Sequence, residues 1–120
     1  MFTVDDGVLT ATVSHLRACL PYEGVALWSG ESGRVTHWTP LRNVALRPDI
    51  HYAVDPGEWV AAWTACSAER RIPLALVHSH PTAPAVPSAA DRADWHYPDL
   101  TCVIVSFADG GLDWQLHRMS

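Results

Sequence analysis

The sequence predicts an α/β fold, a three-layer-like sandwich in which the longer helices pack on a mixed β-sheet. Two segments repeat apolar residues at helical spacing, and short apolar runs that suit buried strands lie between and after them. The chain has 120 residues, of which 48% are hydrophobic and 18% are charged. That length and composition suit one globular domain with one core, so we expect residues 1–120 to form a single α/β domain.

Apolar periodicity and terminal signals predict three helices. Residues 6–20 carry leucine and valine at helical spacing, and Pro21 stops that segment. An Asp-Pro-Gly-Glu run at 55–58 opens a second helix, which continues to about residue 71 with an apolar stripe. A short third helix is expected over about 88–95, after a proline-rich loop.

The remaining apolar runs, bounded by turn-forming residues, predict five strands. They cover residues 23–29, 34–42, 74–80, 101–107 and 112–117. Gly30 and Gly33 flank the turn between the first two, and an Asp-Gly-Gly turn at 109–111 precedes the last. Residues 43–54 are predicted to form a loop with a short extended piece at 51–54.

Charge and composition exclude several classes of protein. The net charge of −5 argues against a nucleic-acid surface, because phosphate binding needs a basic patch. All eight basic residues are arginines, so the chain cannot itself carry a lysine isopeptide bond. No apolar run approaches the roughly 18 residues of a membrane helix, which predicts no membrane partner. The acidic N-terminus lacks the features of a secretion signal, so we expect a cytoplasmic location.

The cysteines do not indicate a disulfide framework or a cysteine zinc site. They are odd in number, widely spaced and without a Cys-x-x-Cys pair. We expect all three to be small buried apolar residues: Cys19, Cys66 and Cys102.

Four polar residues near the end of the third predicted strand point to a metal site. His78 and His80 are two residues apart, so a strand presents both imidazoles on one face. Ser88 and Asp91 are three residues apart, which puts them on one face of a helix. Two imidazoles and one carboxylate supply three ligands and leave the fourth position of a tetrahedral zinc open for water, as in catalytic sites.

Each part of this pattern also has a purely structural interpretation. Ser88 and Asp91 match a helix N-terminal capping box, and a His-x-His pair can simply lie on the surface. The capping and the functional interpretations coexist at Ser88, since its hydroxyl can cap the helix and still face a metal.

The combination of His78, Ser79, His80, Ser88 and Asp91, with Glu23 far upstream, resembles the metal-binding motif of the JAMM (MPN-type) zinc metalloproteases. The spacing matches without a gap, and the order of predicted elements is similar to a minimal version of that domain. The resemblance implies a mixed, curved central sheet with flanking helices, an architecture similar to that of the cytidine deaminases. It also implies hydrolysis of amide or isopeptide bonds at the C-terminal tails of ubiquitin and ubiquitin-like proteins.

The resemblance assigns a role to each motif residue. One Zn²⁺ is held by His78, His80 and Asp91 with water as the fourth ligand, and its charge lowers the pKa of that water to about 7. Glu23 accepts the proton of the water and passes it to the leaving amine. Ser88 Oγ hydrogen-bonds the water or the developing oxyanion.

Residues around the motif are expected to be structural. Ser79 should point to the opposite face of the strand and fix the strand end by hydrogen bonding. Asn43 is expected to stabilise a loop near the cleft, and Trp95 to close the metal-bearing helix beside it. The remaining histidines are expected to be ordinary surface or boundary residues: His15, His37, His51, His96 and His117.

The chain lacks the inserted segments with which relatives specialised for polyubiquitin grip their substrate. It is more similar to bacterial and archaeal members, which act on the Gly-Gly tail of small ubiquitin-like sulfur-carrier proteins, and the sequence leaves a homodimer open. The alternative is a non-catalytic interaction or scaffold module of the same fold, which the intact motif disfavours. A zinc deaminase is disfavoured because neither His-x-Glu nor Pro-Cys-x-x-Cys occurs.

Overall fold

The computed structural model describes residues 2–119. Three α-helices lie in this range: α1 (Asp6–Ala18), α2 (Pro56–Ala68) and α3 (Ala89–Ala93). The strands in the same range are β1 (Thr3–Val4), β2 (Val25–Glu31), β3 (Arg34–Leu41), β4 (Ile72–His80), β5 (Thr101–Ser106) and β6 (Asp113–His117). A 3₁₀ turn at Ala108–Gly110 separates the last two strands. No helix in the described part is long and apolar enough to cross a membrane.

The strands form one mixed sheet in the order β1-β3-β2-β4-β5-β6. The β1–β3 and β4–β5 pairs are parallel, and the other neighbours are antiparallel. Within residues 2–119, β4 therefore lies between β2 and β5, near the middle of the sheet. The predicted mixed α/β sandwich is confirmed.

Both partners of β2 carry a bulge, with Thr36 as the extra residue in β3 and Leu74 as the extra residue in β4. The register of β2 shifts between Ser29 and Gly30 against β3, and one residue earlier against β4. A bulge bends its strand and increases the local twist. A side chain at Gly30 would place its Cβ 1.9 Å from the Arg34 carbonyl oxygen, so only glycine fits at this close approach.

Alternate residues of the strands point to opposite faces of the sheet, and both faces carry apolar side chains. A helix covers each face. Val8 and Leu16 of α1 pack with Trp28 and other side chains from one face. Ala62 and Cys66 of α2 pack with Leu100, just before β5, and with side chains from the other face of the sheet: Val25, Leu27, Leu41 and Leu76. The helices are thus the outer layers of the three-layer arrangement, and the two clusters lie between them and the sheet.

Most of the predicted elements are present, with shorter ends. α1, α2 and α3 stop before the predicted ends at 20, 71 and 95, and β4 begins at Ile72 instead of residue 74. β2 begins at Val25, so Glu23 precedes the strand and does not lie within it. The extended piece at 51–54 is reduced to a single bridge between Asn43 and Val54.

The two-residue strand β1 was not predicted.

Burial is confirmed for two of the three cysteines, and the prediction that Cys19 is buried is wrong. Cys66 and Cys102 are buried, Cys19 is half-buried, and all three are free thiols.

Candidate metal centre

The end of β4 aims two imidazoles at one face of the sheet. His78 and His80 alternate with Ser79, and both lie on the face that α2 covers. Val25 of β2 pairs with His78 across the antiparallel ladder. Continuing that register by two residues puts Glu23 across from His80 and on the same face.

Three ligand atoms converge at this strand end. His78 Nε2 lies 3.2 Å from His80 Nε2 and 3.2 Å from Asp91 Oδ2, and His80 Nε2 lies 3.0 Å from the same carboxylate oxygen. All three residues are buried. Within residues 2–119 they are the one group of histidine, cysteine or acidic side chains whose ligand atoms lie close enough to share a metal ion.

The N-terminus of α3 holds the carboxylate in place. Ser88 is the N-cap: its Oγ accepts the Asp91 backbone N–H at 3.0 Å, and its own N–H donates to Asp91 Oδ2 at 3.0 Å. This reciprocal pair is a capping box. The side chain of Ser88 is exposed, so its hydroxyl hydrogen can still be donated towards the cleft. The structure therefore shows the capping role and leaves room for the functional one.

The chemistry of the donors fits a zinc ion. Nδ1 of His80 donates to the Pro84 carbonyl at 2.7 Å, which orients the ring so that Nε2 faces the other two ligand atoms. Burial alone would favour the neutral acid at Asp91, yet hydrogen bonds from His78 and His80 hold its pKa well below its usual range. Two neutral imidazoles and an ionised carboxylate are the ligands that Zn²⁺ binds in catalytic sites.

The backbone around Glu23 is fixed on every side. The Glu23 N–H donates to the Pro48 carbonyl at 2.7 Å, and its own carbonyl accepts from Asn43 Nδ2 at 3.0 Å. The next residue, Gly24, donates its N–H to Ser79 Oγ at 2.8 Å and accepts the Ser79 N–H at 3.0 Å. Ser79 thus points away from the ligand face and ties the Glu23 segment to the end of β4, as the alternation predicts.

The Glu23 carboxyl is buried and has a raised pKa. Its Oε1 atom has no hydrogen-bond partner among residues 2–119, and the side chain is 5% exposed. Burial, with smaller contributions from Asp91 and Asp49, raises the pKa of Glu23 to about 7 against the opposing effect of His80. A buried carboxyl with a pKa near neutrality beside possible ligands is a feature of acid–base sites.

Two neighbours of the site escaped the sequence analysis. The Tyr52 ring stacks on His78, and the Pro84 carbonyl orients His80. A loop tyrosine and a backbone carbonyl leave no local signal in a sequence, so neither contact could have been found from it. Trp95 lies beyond α3, where it packs edge-on against Tyr97.

The histidines outside the motif take no part in the group of ligands. The Nε2 atoms of His15 and His117 lie 3.0 and 2.8 Å from backbone carbonyl oxygens. His37, His51 and His96 belong to no ligand cluster within the described residues.

Comparison with known proteins decides the family. The model of the family described as prokaryotic homologs of the JAB domain matches residues 5–117. The chain belongs to this family. This match confirms the resemblance to the JAMM (MPN-type) family that the motif indicated.

Solved structures share the fold of this JAB domain. A protein from Desulfitobacterium hafniense superposes with a TM-score of 0.80 at 28% identity, covering 96% of this chain and 90% of that one. A JAB1/MPN domain protein from Archaeoglobus fulgidus superposes with a TM-score of 0.66 at 19% identity, covering 99% and 90%. At that lower identity the likeness concerns the fold alone.

Two curated relatives carry functional names. The JAB domain is 40% identical over 97 residues to a probable TtuB-protein conjugate cleaving protease of Thermus thermophilus. It is 34% identical over 83 residues to the desampylase of Haloferax volcanii. These matches cover 79% and 69% of this chain but only 65% and 60% of the relatives, so the chain spans less than two thirds of their length.

Proposed function

We propose that the protein is a zinc-dependent peptidase or isopeptidase that hydrolyses a bond at the C-terminal Gly-Gly tail of a ubiquitin-like or sulfur-carrier protein. The observation that carries the proposal is the convergence of His78, His80 and Asp91 within hydrogen-bond distance of one another. Glu23 lies two residues before β2, the strand that pairs with β4, and its carboxyl is close enough to His80 and Asp91 for their charges to affect its pKa. The ligand set supports a hydrolytic metal site, and the names of the two curated relatives support the class of substrate.

In this proposal His78 Nε2, His80 Nε2 and Asp91 Oδ2 are the ligands of one zinc ion. When bound, zinc supplies Lewis acidity, which polarises a scissile carbonyl and lowers the pKa of a water to about 7. The protein positions its three ligands through the β4 strand, the capping box and the Pro84 carbonyl. A fourth ligand from the solvent completes the proposed site.

Glu23 is the proposed general base. Its unpartnered Oε1 can accept a proton from the attacking water, and the protonated carboxyl can then deliver that proton to the leaving amine. A pKa raised to about 7 by burial suits both steps, because the carboxyl exchanges its proton easily near neutrality. The hydrogen bonds at Pro48, Asn43 and Ser79 keep the carboxylate in the position that this transfer needs.

Ser88 is the proposed donor to the developing oxyanion. Its Oγ accepts the Asp91 N–H, which leaves the hydroxyl hydrogen free to be donated into the cleft. A donor aimed at a developing negative charge typically contributes about 100-fold or more to the rate.

The proposed partner is a conjugate of a ubiquitin-like protein. A groove of about 600 Å³ runs beside the Glu23 segment and is lined in part by Tyr22, Asn43 and Pro48. Inside residues 2–119 the fold has no inserted domain around this groove, so recognition of the tail depends on the core elements and their loops.

The test is cleavage of a ubiquitin-like carrier protein joined through its terminal Gly-Gly to a lysine side chain or to a peptide extension, followed by mass spectrometry. We expect the parent chain to cut after Gly-Gly, to lose activity with a chelator and to recover it with zinc. Glu23→Gln should retain zinc and lose at least 100-fold in rate. Glu31→Gln, at an exposed position at the far end of β2, is the matched control and should cut like the parent. Full activity of Glu23→Gln would refute the proposed mechanism.

A further inference from the structure

The two histidines of the site are oriented by different means. His80 donates its Nδ1–H to the Pro84 carbonyl at 2.7 Å, the kind of hydrogen bond that usually fixes a metal-binding imidazole. His78 has no equivalent bond: its Nδ1 is buried and lacks a hydrogen-bond partner among residues 2–119. Because the second side-chain torsion of histidine is broad, some other contact must hold the rotation of the His78 ring.

Tyr52 makes that contact. Its ring stacks on the His78 imidazole with 4.3 Å between centroids and 26° between planes. The His80 ring meets the same imidazole at 5.0 Å and a steeper 62°. Rotation of the His78 ring would break the stacking and turn Nε2 away from Asp91. Tyr52 also packs on the apolar cluster beneath α2, so its own ring is held from below.

The side chain of Asn43 makes hydrogen bonds on both sides of Tyr52. Asn43 Nδ2 donates to the carbonyl before Tyr52 at 2.9 Å, and Asn43 Oδ1 accepts the N–H after it at 3.1 Å. The same amide nitrogen donates to the Glu23 carbonyl at 3.0 Å. One side chain therefore connects the loop that lies on His78 to the segment that carries Glu23.

We infer that Tyr52 is a positioning residue that holds the His78 ring for metal binding by stacking, and that Asn43 holds Tyr52 in place. The inference rests on the proposed function in one respect, namely that His78 is a zinc ligand. Stacking by Tyr52 takes the part that the Pro84 hydrogen bond takes for His80. The effect of Tyr52 is on the orientation of the His78 ring.

The test is zinc affinity, measured on the whole chain by competition with a chromogenic chelator. Tyr52→Phe keeps the aromatic ring and should bind zinc like the parent. Tyr52→Leu removes the ring and should weaken binding about tenfold, the lower end of the range for residues that orient metal ligands. The absorption spectrum of the Co²⁺-substituted protein should change in Tyr52→Leu and match the parent in Tyr52→Phe, since it reports ligand geometry.

Tyr97→Leu is the matched control. Tyr97 packs against the same apolar cluster, but its ring meets Trp59 at a tilted angle and Trp95 edge-on, and it contacts no histidine ring within residues 2–119. Its replacement should lower stability and leave zinc affinity unchanged. A loss of affinity as large as that of Tyr52→Leu would overturn the inference, because it would show that general loosening of the cluster is sufficient.

Two further outcomes decide the inference. Tyr52→Leu with the zinc affinity of the parent would overturn it and leave the proposed function standing, whereas a parent chain that binds no zinc would overturn both. If Tyr52→Leu does not fold, Asn43→Ala replaces it, since this variant keeps the ring and removes the two side-chain hydrogen bonds that flank it. Asn43→Ala should also lose about tenfold in affinity, and unchanged binding would count against the inference.

Discussion

Replacing Glu23 with glutamine should stabilise the metal-free protein at alkaline pH more than at acidic pH. Burial raises the pKa of this carboxyl in the folded state from an ordinary value of 4.5 to about 7. The unfolded state therefore ionises first as pH rises, and the folded state loses stability between these two values. Below 4.5 both states are protonated and the difference disappears. The glutamine variant does not titrate, so it avoids this loss.

The magnitude follows from the displacement of the pKa. Each pKa unit is worth about 1.4 kcal/mol, so a change from 4.5 to about 7 sets an upper limit of about 3 kcal/mol. Solvent that reaches the edge of the cleft screens part of this, and we expect about 1–2 kcal/mol. At each pH, the free energy of unfolding of the parent is subtracted from that of the variant. The relevant quantity is how much this difference changes from pH 5 to pH 8.

Urea unfolding with a chelator present at both pH values measures that quantity. Comparing the variant with the parent removes those contributions of His78, His80 and Asp91 that do not depend on the charge of Glu23. Glu31→Gln makes the same chemical change at an exposed position and serves as the control. A difference between Glu23→Gln and parent that is the same at pH 5 and pH 8, or that becomes less favourable to the variant at pH 8, would refute the reasoning.

Three other predictions concern the framework of the site. Ser79→Ala leaves the buried Gly24 N–H without its acceptor and should lower the free energy of unfolding by about 1–3 kcal/mol in urea, whereas Ser79→Thr, which keeps the hydroxyl, should lose less. Gly30→Ala places a Cβ against the Arg34 carbonyl oxygen and should lower the melting temperature by more than 10 °C. For a chain of this size, that shift corresponds to a loss of about 2 kcal/mol or more in the free energy of unfolding. A change of under 2 °C would contradict the close approach. Zinc in excess at about 100 times its dissociation constant should stabilise the protein by about 2.7 kcal/mol, and Asp91→Asn should abolish this gain in a thermal scan.

The local parts of the site follow from the sequence because they depend on short spacings. Alternation along a strand puts His78 and His80 on one face. The three-residue step from Ser88 to Asp91 makes a capping box at the start of α3, which depends only on local hydrogen bonds. The place of Glu23 beside them depends on how β2 pairs with β4, and only the family resemblance indicated it.

The contacts that the sequence did not predict are long-range. Nothing near Tyr52 indicates that its ring will stack on a histidine 26 positions further along the chain. β1 is two residues long, and its pairing with Arg34 and Val35 of β3 is parallel and non-local, so Thr3 and Val4 carry no pattern of their own. Helix ends were predicted two or three residues too long, since Cys19 and Glu69 continue the apolar or helix-forming composition after the helical hydrogen bonds stop.

The central claim is that His78, His80 and Asp91 bind one metal ion, and X-ray absorption spectroscopy of the zinc-loaded protein tests it most directly. We predict one zinc per chain in a shell of nitrogen and oxygen ligands at about 2.0–2.1 Å, with the multiple-scattering signature of two imidazoles. Asp91→Asn should alter this shell, while Glu23→Gln should leave the two imidazoles in place. A chain that takes up no zinc, or a spectrum with a sulfur ligand at about 2.3 Å, would contradict the claim.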